Sequence, residues 1–275
     1  MTPIHNGDAL SRARDLLPPF FDPVEVVEFL PSTMQRAAEL AEGGAPEGAL
    51  VLADHQTAGR GRLGRVWVAP PGTSLMLSVV LRPGLPPARA WGVATAAGVA
   101  LAEAADALVG PGVDVALKWP NDLLVAAEGA SVRKAAGLLA ESRADGVVLL
   151  GMGVNVNQAQ TDFPPELQAG ATSLAAAAGR RLDRAELLAR WAPRFVAAYQ
   201  DLLAGGQGLV PAWRARLATI GRDVRVERIE GPPLVGRAVD VDAGGGLVLR
   251  LPDGRMATVA AGDVEHLRQA PADGP

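Results

Sequence analysis

Cysteine is absent from all 275 residues. That removes disulfide scaffolds, thiolate-ligated zinc, iron–sulfur clusters and any cysteine nucleophile. Histidine is nearly as scarce: His5, His55 and His266 are too few and too dispersed in sequence to predict a metal cluster. A surplus of positive charge is missing as well. The 26 Lys+Arg against 30 Asp+Glu leave a net charge of −4, which argues against a nucleic-acid binder relying on overall positive charge. No unbroken apolar run reaches the ~18 residues that cross a bilayer, and the N-terminus has no basic segment followed by an apolar one. The expectation is a soluble, cytoplasmic protein without membrane contact.

Lysine is the other scarcity. Of 26 basic residues only Lys118 and Lys134 are lysines. A compact ammonium with rotatable donors does what a rigid guanidinium fork cannot. A lysine retained in so arginine-rich a chain is therefore either a chance survivor or a chemical need, and its neighbourhood decides.

What is present is ample core material: 49% hydrophobic residues and 20% charged. The length suits one large domain or a large one plus a small one. Residues 1–23 read as a polar, Pro-containing N-terminal arm. A strand is predicted at Val24–Leu30, followed by a helix from Thr33 to about Glu42 with Ser32 as its cap and Gly43-Gly44 as its stop. Further strands are predicted at Ala49–Ala53, Ser74–Leu81 and Val113–Trp119. Leu123–Ala126 and Ala135–Glu141 read as arms of a hairpin, and Val147–Val156 as a strand buried on both faces. Helices are predicted over Ala90–Leu108 and from Asp183 to about Leu203, with Pro193 as a kink. Strands and helices do not alternate strictly, which disfavours a doubly wound parallel sheet. Near Gly221 the texture changes to short alternating strands (Arg222–Glu227, Leu234–Val241, Leu247–Leu251, Met256–Ala260) with tight turns, suggesting a small β-barrel. The predicted division is a mixed α+β domain at 24–220, a small all-β domain at 221–268 and a frayed tail at 269–275.

Several segments could carry chemistry. Gly59-Arg60-Gly61-Arg62-Leu63-Gly64-Arg65 spaces three guanidiniums with glycines, a pattern suited to gripping phosphate or carboxylate oxygens. A solvated Gly/Arg loop would read the same, and no Gly-Lys-Ser/Thr follows to make a phosphate-binding Walker loop. In Lys118-Trp119-Pro120-Asn121-Asp122 a strand delivers a lysine to a turn. There Trp119 could shield a site, Asp122 could offer oxygen to a divalent metal, and the bland reading is a hairpin corner. Lys134-Ala135-Ala136-Gly137-Leu138-Leu139 could wall a pocket for a compact ring, with Gly137 permitting close approach. It reads equally as a core strand. Gly151-Met152-Gly153-Val154-Asn155-Val156-Asn157 puts a polar amide into an apolar run, where Asn155 needs a partner.

Taken together and in this order, these segments resemble the biotin protein ligase (biotin–acetyl-CoA-carboxylase ligase) family, over about residues 25–268. The resemblance implies a mixed β-sheet catalytic domain with flanking helices, of the class II synthetase-like biotin/lipoate ligase fold, plus an SH3-like C-terminal domain. It implies an enzyme using ATP and Mg2+ to turn biotin into biotinyl-5′-AMP. The biotinyl group would then pass to one lysine of a biotin carboxyl carrier protein, an acyl-CoA carboxylase subunit. By the same resemblance, Ser32, Thr33, Met34 and Gln56 line the biotin head. Gly59, Arg60, Gly61 and Arg62 form a loop closing over biotin and its adenylate, and Trp67, Gly137, Leu139 and Gly151 belong to the biotin site. Lys118 would sit between the biotin carboxylate and the α-phosphate, acting in catalysis with Arg62. Arg62, Arg65, Asn121 and Asn155 would face the nucleotide and Asp122 would hold Mg2+.

Two departures stand out: Met34 occupies a position where many members have Asn, and only about 25 residues precede the matched region. That is too few for a helix-turn-helix reader, so no operator DNA binding is expected. A homodimer through sheet edges is left open. The competing readings are a lipoate/octanoate-protein ligase and a non-catalytic biotinyl-AMP-binding regulatory protein.

Overall fold

The structure is a computed structural model that describes residues 10, 12, 14–86, 89–228 and 231–267. The expected tail at 269–275 and the first nine residues of the expected arm lie outside these. The chain opens with β1 (Val24–Leu30), α1 (Thr33–Glu42) and β2 (Leu50–Gln56), then β5 (Ser74–Leu81) beyond a short hairpin of β3 (Gly59–Arg60) and β4 (Val66–Trp67). A long helix, α2 (Trp91–Val109), leads into four antiparallel strands: β6 (Val113–Lys118), β7 (Asp122–Ala127), β8 (Arg133–Ser142) and β9 (Val148–Asn155). These build one seven-stranded sheet in the order β1-β2-β5-β9-β8-β7-β6. Only β1 and β2 pair in parallel, through the crossover helix α1; every other pairing is antiparallel. The mixed sheet expected from the irregular order of elements is what forms.

Side-chain alternation divides the sheet into two faces. Leu50, Leu52, Leu75, Leu77, Val79 and Leu81 point into the main core with α2 and α4 (Arg184–Leu203). Their neighbours Ala49, Val51, Val80, Val147 and Leu149 pack instead under α1, with Met34, Ala37 and Ala41. β9 is buried on both faces, which explains why its sequence reads as an unbroken apolar run. Helix α2 has the length and apolarity of a membrane span, yet most of it lies inside the fold, its small residues letting α4 pack close. α4 is capped as expected, Asp183 accepting from the amide of Ala185 at 2.8 Å. It continues through Pro193 as one helix, so the expected kink does not break it.

Two short helices, α3 (Leu174–Ala178) and α5 (Leu209–Arg216), were not legible in the sequence. Beyond them lies an antiparallel five-stranded sheet: β10 (Asp223–Arg228), β11 (Leu234–Val241), β12 (Leu247–Arg250), β13 (Met256–Val259) and β14 (Gly262–His266). Its order is β13-β12-β11-β10-β14. The last strand is an addition to the expected set, and it returns from the chain end to pair with β10.

The small sheet is joined to the large one by tryptophan. Trp119, expected to shield the site, is instead fully buried at the joint. Its indole donates to the carbonyl of Gly245 at 3.0 Å and its backbone N–H donates to Thr219 Oγ1 at 3.0 Å. Trp91 and Trp213 pack on each other with ring centroids 5.7 Å apart. Gly245 passes over Trp91 with φ of 78°, and a Cβ there would run into the indole, so the turn requires glycine. A lost indole hydrogen bond would cost about 1 kcal/mol, more if the carbonyl were left unsatisfied.

Candidate functional site

On the α1 face of the large sheet lies a cavity of about 700 Å3. It is within the range of sites for small ligands and cofactors. Ser32, Thr33, Met34, Gln56, Arg60, Gly61, Arg62, Arg65, Trp67, Lys118, Asn121, Asp122, Gly137, Leu139, Gly151 and Asn155 all line it. Gly59 sits behind the wall, buried against the Trp67 backbone.

The floor is flat because three glycines occupy it where the other strand positions would carry side chains. A Cβ at Gly153 would stand 2.6 Å from the Trp67 ring, and one at Gly151 2.7 Å from Met34 Sδ. A Cβ at Gly137 would stand 3.3 Å from Lys134 Nζ. A thioether, an indole and an ammonium therefore follow one another over two adjoining strands. The first two make an apolar slot, and the third starts a charged region.

At the slot end the sequence predicts Ser32 as a side-chain cap, and the structure corrects this. Ser32 holds the cap position with extended backbone but makes no capping hydrogen bond. Gln56 does that work: its Oε1 accepts from the Thr33 amide at 2.7 Å and from Thr33 Oγ1 at 3.1 Å. Ser78 Oγ in turn donates to Thr33 Oγ1 at 2.8 Å. Ser32 Oγ is left buried with no partner, as is Trp67 Nε1. A buried polar group without a partner costs about 1–3 kcal/mol, so this end is poised to receive a small polar ligand group.

The opposite end gathers cations. Lys134 Nζ lies 2.7 Å from Asp122 Oδ1. Lys118 ends β6 opposite Asp122 in the register. Arg62 donates to Asn121 Oδ1 at 3.0 Å and to the Gly262 carbonyl at 3.3 Å, while Asn121 donates to the Leu138 carbonyl. Arg65 pairs with Asp263 on β14. The Gly-Arg segment is thus not the shapeless loop its glycines suggest. It is a hairpin, Gly59 and Arg60 pairing with Trp67 and Val66, and its tip rests on the C-terminal sheet. Leu63 at the tip takes φ of 55°, an uncommon left-handed conformation for a residue with a side chain.

The electrostatics follow from these contacts. Burial pulls the Arg62 guanidinium below its ordinary pKa; nearby Asp122 and Asp263 offset part of this, and Arg65 adds to it. Burial alone would raise the Asp263 carboxyl, but the Arg65 hydrogen bond and the charges of Arg65, Lys118 and Arg62 outweigh it and hold it low. His266, also on the wall, is pushed down to about 4, first by burial and then by the charges of Lys118 and Arg222.

Two residues with expected ligand roles also have protein partners. Asp122, expected to hold Mg2+, pairs through one of its oxygens with Lys134. No group of three or more His, Asp or Glu able to hold a metal occurs among the described residues. Asn155 was expected to face the nucleotide. Its amide nitrogen donates to the Thr172 carbonyl at 3.1 Å and its oxygen accepts from Gln158 at 2.7 Å, which fixes its orientation in the cavity wall. The sequence reading put Lys134 on a possible pocket wall without giving it a role, and did not foresee Asp263 and His266 as members of the site. The lysine scarcity was the signal for the first; nothing local announced the others, which arrive on β14.

A flat slot ending in an unpartnered hydroxyl, facing a cluster of lysine and arginine, defines a class: a protein with a site for a small ligand that has an uncharged polar head and an anionic end. Comparison with known proteins gives the family. The biotin/lipoate A/B protein ligase family matches residues 26–157 and the biotin protein ligase C-terminal domain matches 219–267. The biotin–[acetyl-CoA-carboxylase] ligase of Mycobacterium tuberculosis is 41% identical over 233 residues, covering 84% of each chain. The bifunctional ligase/repressor BirA of Escherichia coli is 32% identical over 259 residues, covering 90% of this chain and 74% of that one. Biotin protein ligase from Aquifex aeolicus, solved in complex with biotin and ATP, superposes with a TM-score of 0.76 at 25% identity, over 90% of this chain and all of that one. The chain belongs to the biotin protein ligase family.

Proposed function

We propose that the chain is an ATP-dependent biotin–[acetyl-CoA-carboxylase] ligase and that its cavity is occupied in one direction. The ureido ring lies in the slot, against Gly151, Gly153, Leu139 and Trp67, with Ser32 Oγ and Gln56 at its polar edge. Met34 packs beside Gly151 and supplies contact rather than a hydrogen bond. The acyl chain runs across Gly137, which brings the carboxylate to Lys134. Lys118, two strands away from Gly137 in the sheet, meets the phosphates with Arg62 and Arg65. The pairing of ends carries the proposal: a buried unpartnered hydroxyl at one and Arg62, Lys118 and Lys134 at the other, in a single cavity.

Chemistry then proceeds in two displacements. A biotin carboxylate oxygen attacks the α-phosphorus of ATP, forming biotinyl-5′-AMP and expelling pyrophosphate. The acceptor lysine of a biotin carboxyl carrier protein, as the free amine, attacks the acyl carbon and expels AMP, leaving an amide. Bringing two anions together is the hard part of the first step, and fixed cations in a partly dry site offset it. Mg2+ would enter with ATP as its counter-ion and would offset phosphate charge. The mixed anhydride is reactive toward water, and the Gly-Arg hairpin closes over it.

The test is pyrophosphate release with ATP and each acid in turn. Biotin is expected to support it, and octanoate and lipoate are not. Equal release with octanoate would reassign the acid, and release with none would leave a binding protein.

A further inference from the structure

Half of the large, exposed apolar side chains among the described residues line a single opening. Leu63, Val66 and Val68 come from the Gly-Arg hairpin, Val132 from the turn before β8 and Leu167 from the segment after β9, each about half exposed or more. The others, such as Leu16, Phe29 and Leu203, lie elsewhere. Isolated surface apolar residues need no explanation, but a cluster from three separate segments around one mouth does. The floor needs none of them: Trp67, Met34, Leu139 and the three glycines already form its apolar surface.

The second displacement says what the rim is for. An acceptor lysine is about 6 Å from Cα to nitrogen when extended. Its nitrogen must reach the acyl carbon beside Lys134, so the backbone carrying it lies against the mouth. We infer that Leu63, Val66, Val68, Val132 and Leu167 form the docking rim for the carrier domain, and that it fits a carrier whose surface around the acceptor lysine is apolar. The charged side chains on the same rim include Arg60 and Arg133 against Glu166, a positive margin that suits an acidic carrier. The inference rests on the ligase reading and adds which face of this chain recognises the protein substrate. Val132 and Leu167 carry the test because they stand outside the hairpin.

The two half-reactions separate docking from chemistry. The double variant Val132→Ser/Leu167→Ser is loaded with biotin and ATP, and the burst of pyrophosphate measures adenylate formation. The preformed adenylate is then offered either apo biotin carboxyl carrier protein or hydroxylamine, a small nucleophile that needs no docking surface. The expected result is a loss of at least tenfold in kcat/KM for the carrier, with the burst and the hydroxylamine rate within twofold of the parent. An unchanged carrier rate overturns the inference. So does a parallel fall in the burst or the hydroxylamine reaction, which would make these residues part of the ligand wall. A parent chain with no burst at all would instead count against the ligase reading.

Discussion

The two ends of the cavity are built by opposite means. The slot end is built on the large sheet: α1, β2, β5, β8 and β9 supply it and Trp67 of β4 walls it, its glycines admit no side chain, and Ser78, Thr33 and Gln56 fix one another. The cationic end is assembled across the molecule. Lys118, Lys134 and Asn121 come from the large sheet, Arg62 and Arg65 from the hairpin, and Asp263 and His266 from the small sheet. A rigid, neutral end can select a ring before anything else binds. A charged end held by cross-domain contacts can answer to the arrival of a polyanion. The difference teaches that affinity for the acid and rate of its activation are separable in this fold.

The largest effect should come from the charged end. Lys134→Arg keeps the charge but changes its shape, and is expected to lower biotin-dependent pyrophosphate release by roughly 10²-fold or more, the range for one positioned electrostatic group. Lys118→Arg should cost less. The reverse order would move the reacting carboxylate from Gly137 to the end of β6. At the slot end, Ser32→Ala should raise the biotin KM by about three- to tenfold, as for one neutral hydrogen bond, with kcat little changed. A fall in kcat of the same size would break the division between ends.

Smaller effects concern the contact between sheets. Asp263→Asn removes the Arg65 pair, whose guanidinium is largely exposed, so the pair is worth about 1 kcal/mol. The ATP KM is expected to rise a few-fold, less at high salt, with biotin affinity unchanged. His266 titrates against stability rather than rate. Its folded pKa of about 4 lies below the ordinary 6.5, so between these values the unfolded chain binds more protons. Its contribution to stability is complete above about 6.5 and is lost as the pH falls toward 4. Denaturant midpoints across that window should decline in the parent and decline less in His266→Gln. An identical decline would place the acid sensitivity elsewhere.

How far the sequence foretold this depended on the range of the contacts. Periodicity gave β1, α1, β5, β9 and α4 nearly to the residue, because their burial patterns repeat locally. The site residues were legible where short motifs carried them, as in Gly59–Arg65 and Lys118–Asp122. Orientation was not. Trp119 reads as a shield but its indole finds a carbonyl 126 residues away, at Gly245. Ser32 reads as a cap, yet Gln56, 23 residues beyond Thr33, takes that place and frees the hydroxyl. β14 is five residues long and pairs with a strand some forty residues earlier, so its carboxylate and imidazole could not be assigned to a site on the large sheet.

The most direct test of the directional occupancy is a crystal of the chain soaked with biotin alone. The account predicts ureido density within hydrogen-bond reach of Ser32 Oγ, the ring beside Trp67, and the carboxylate at Lys134 Nζ. Density with the carboxylate at Ser32, or an empty slot with biotin seated at the hairpin, would contradict it.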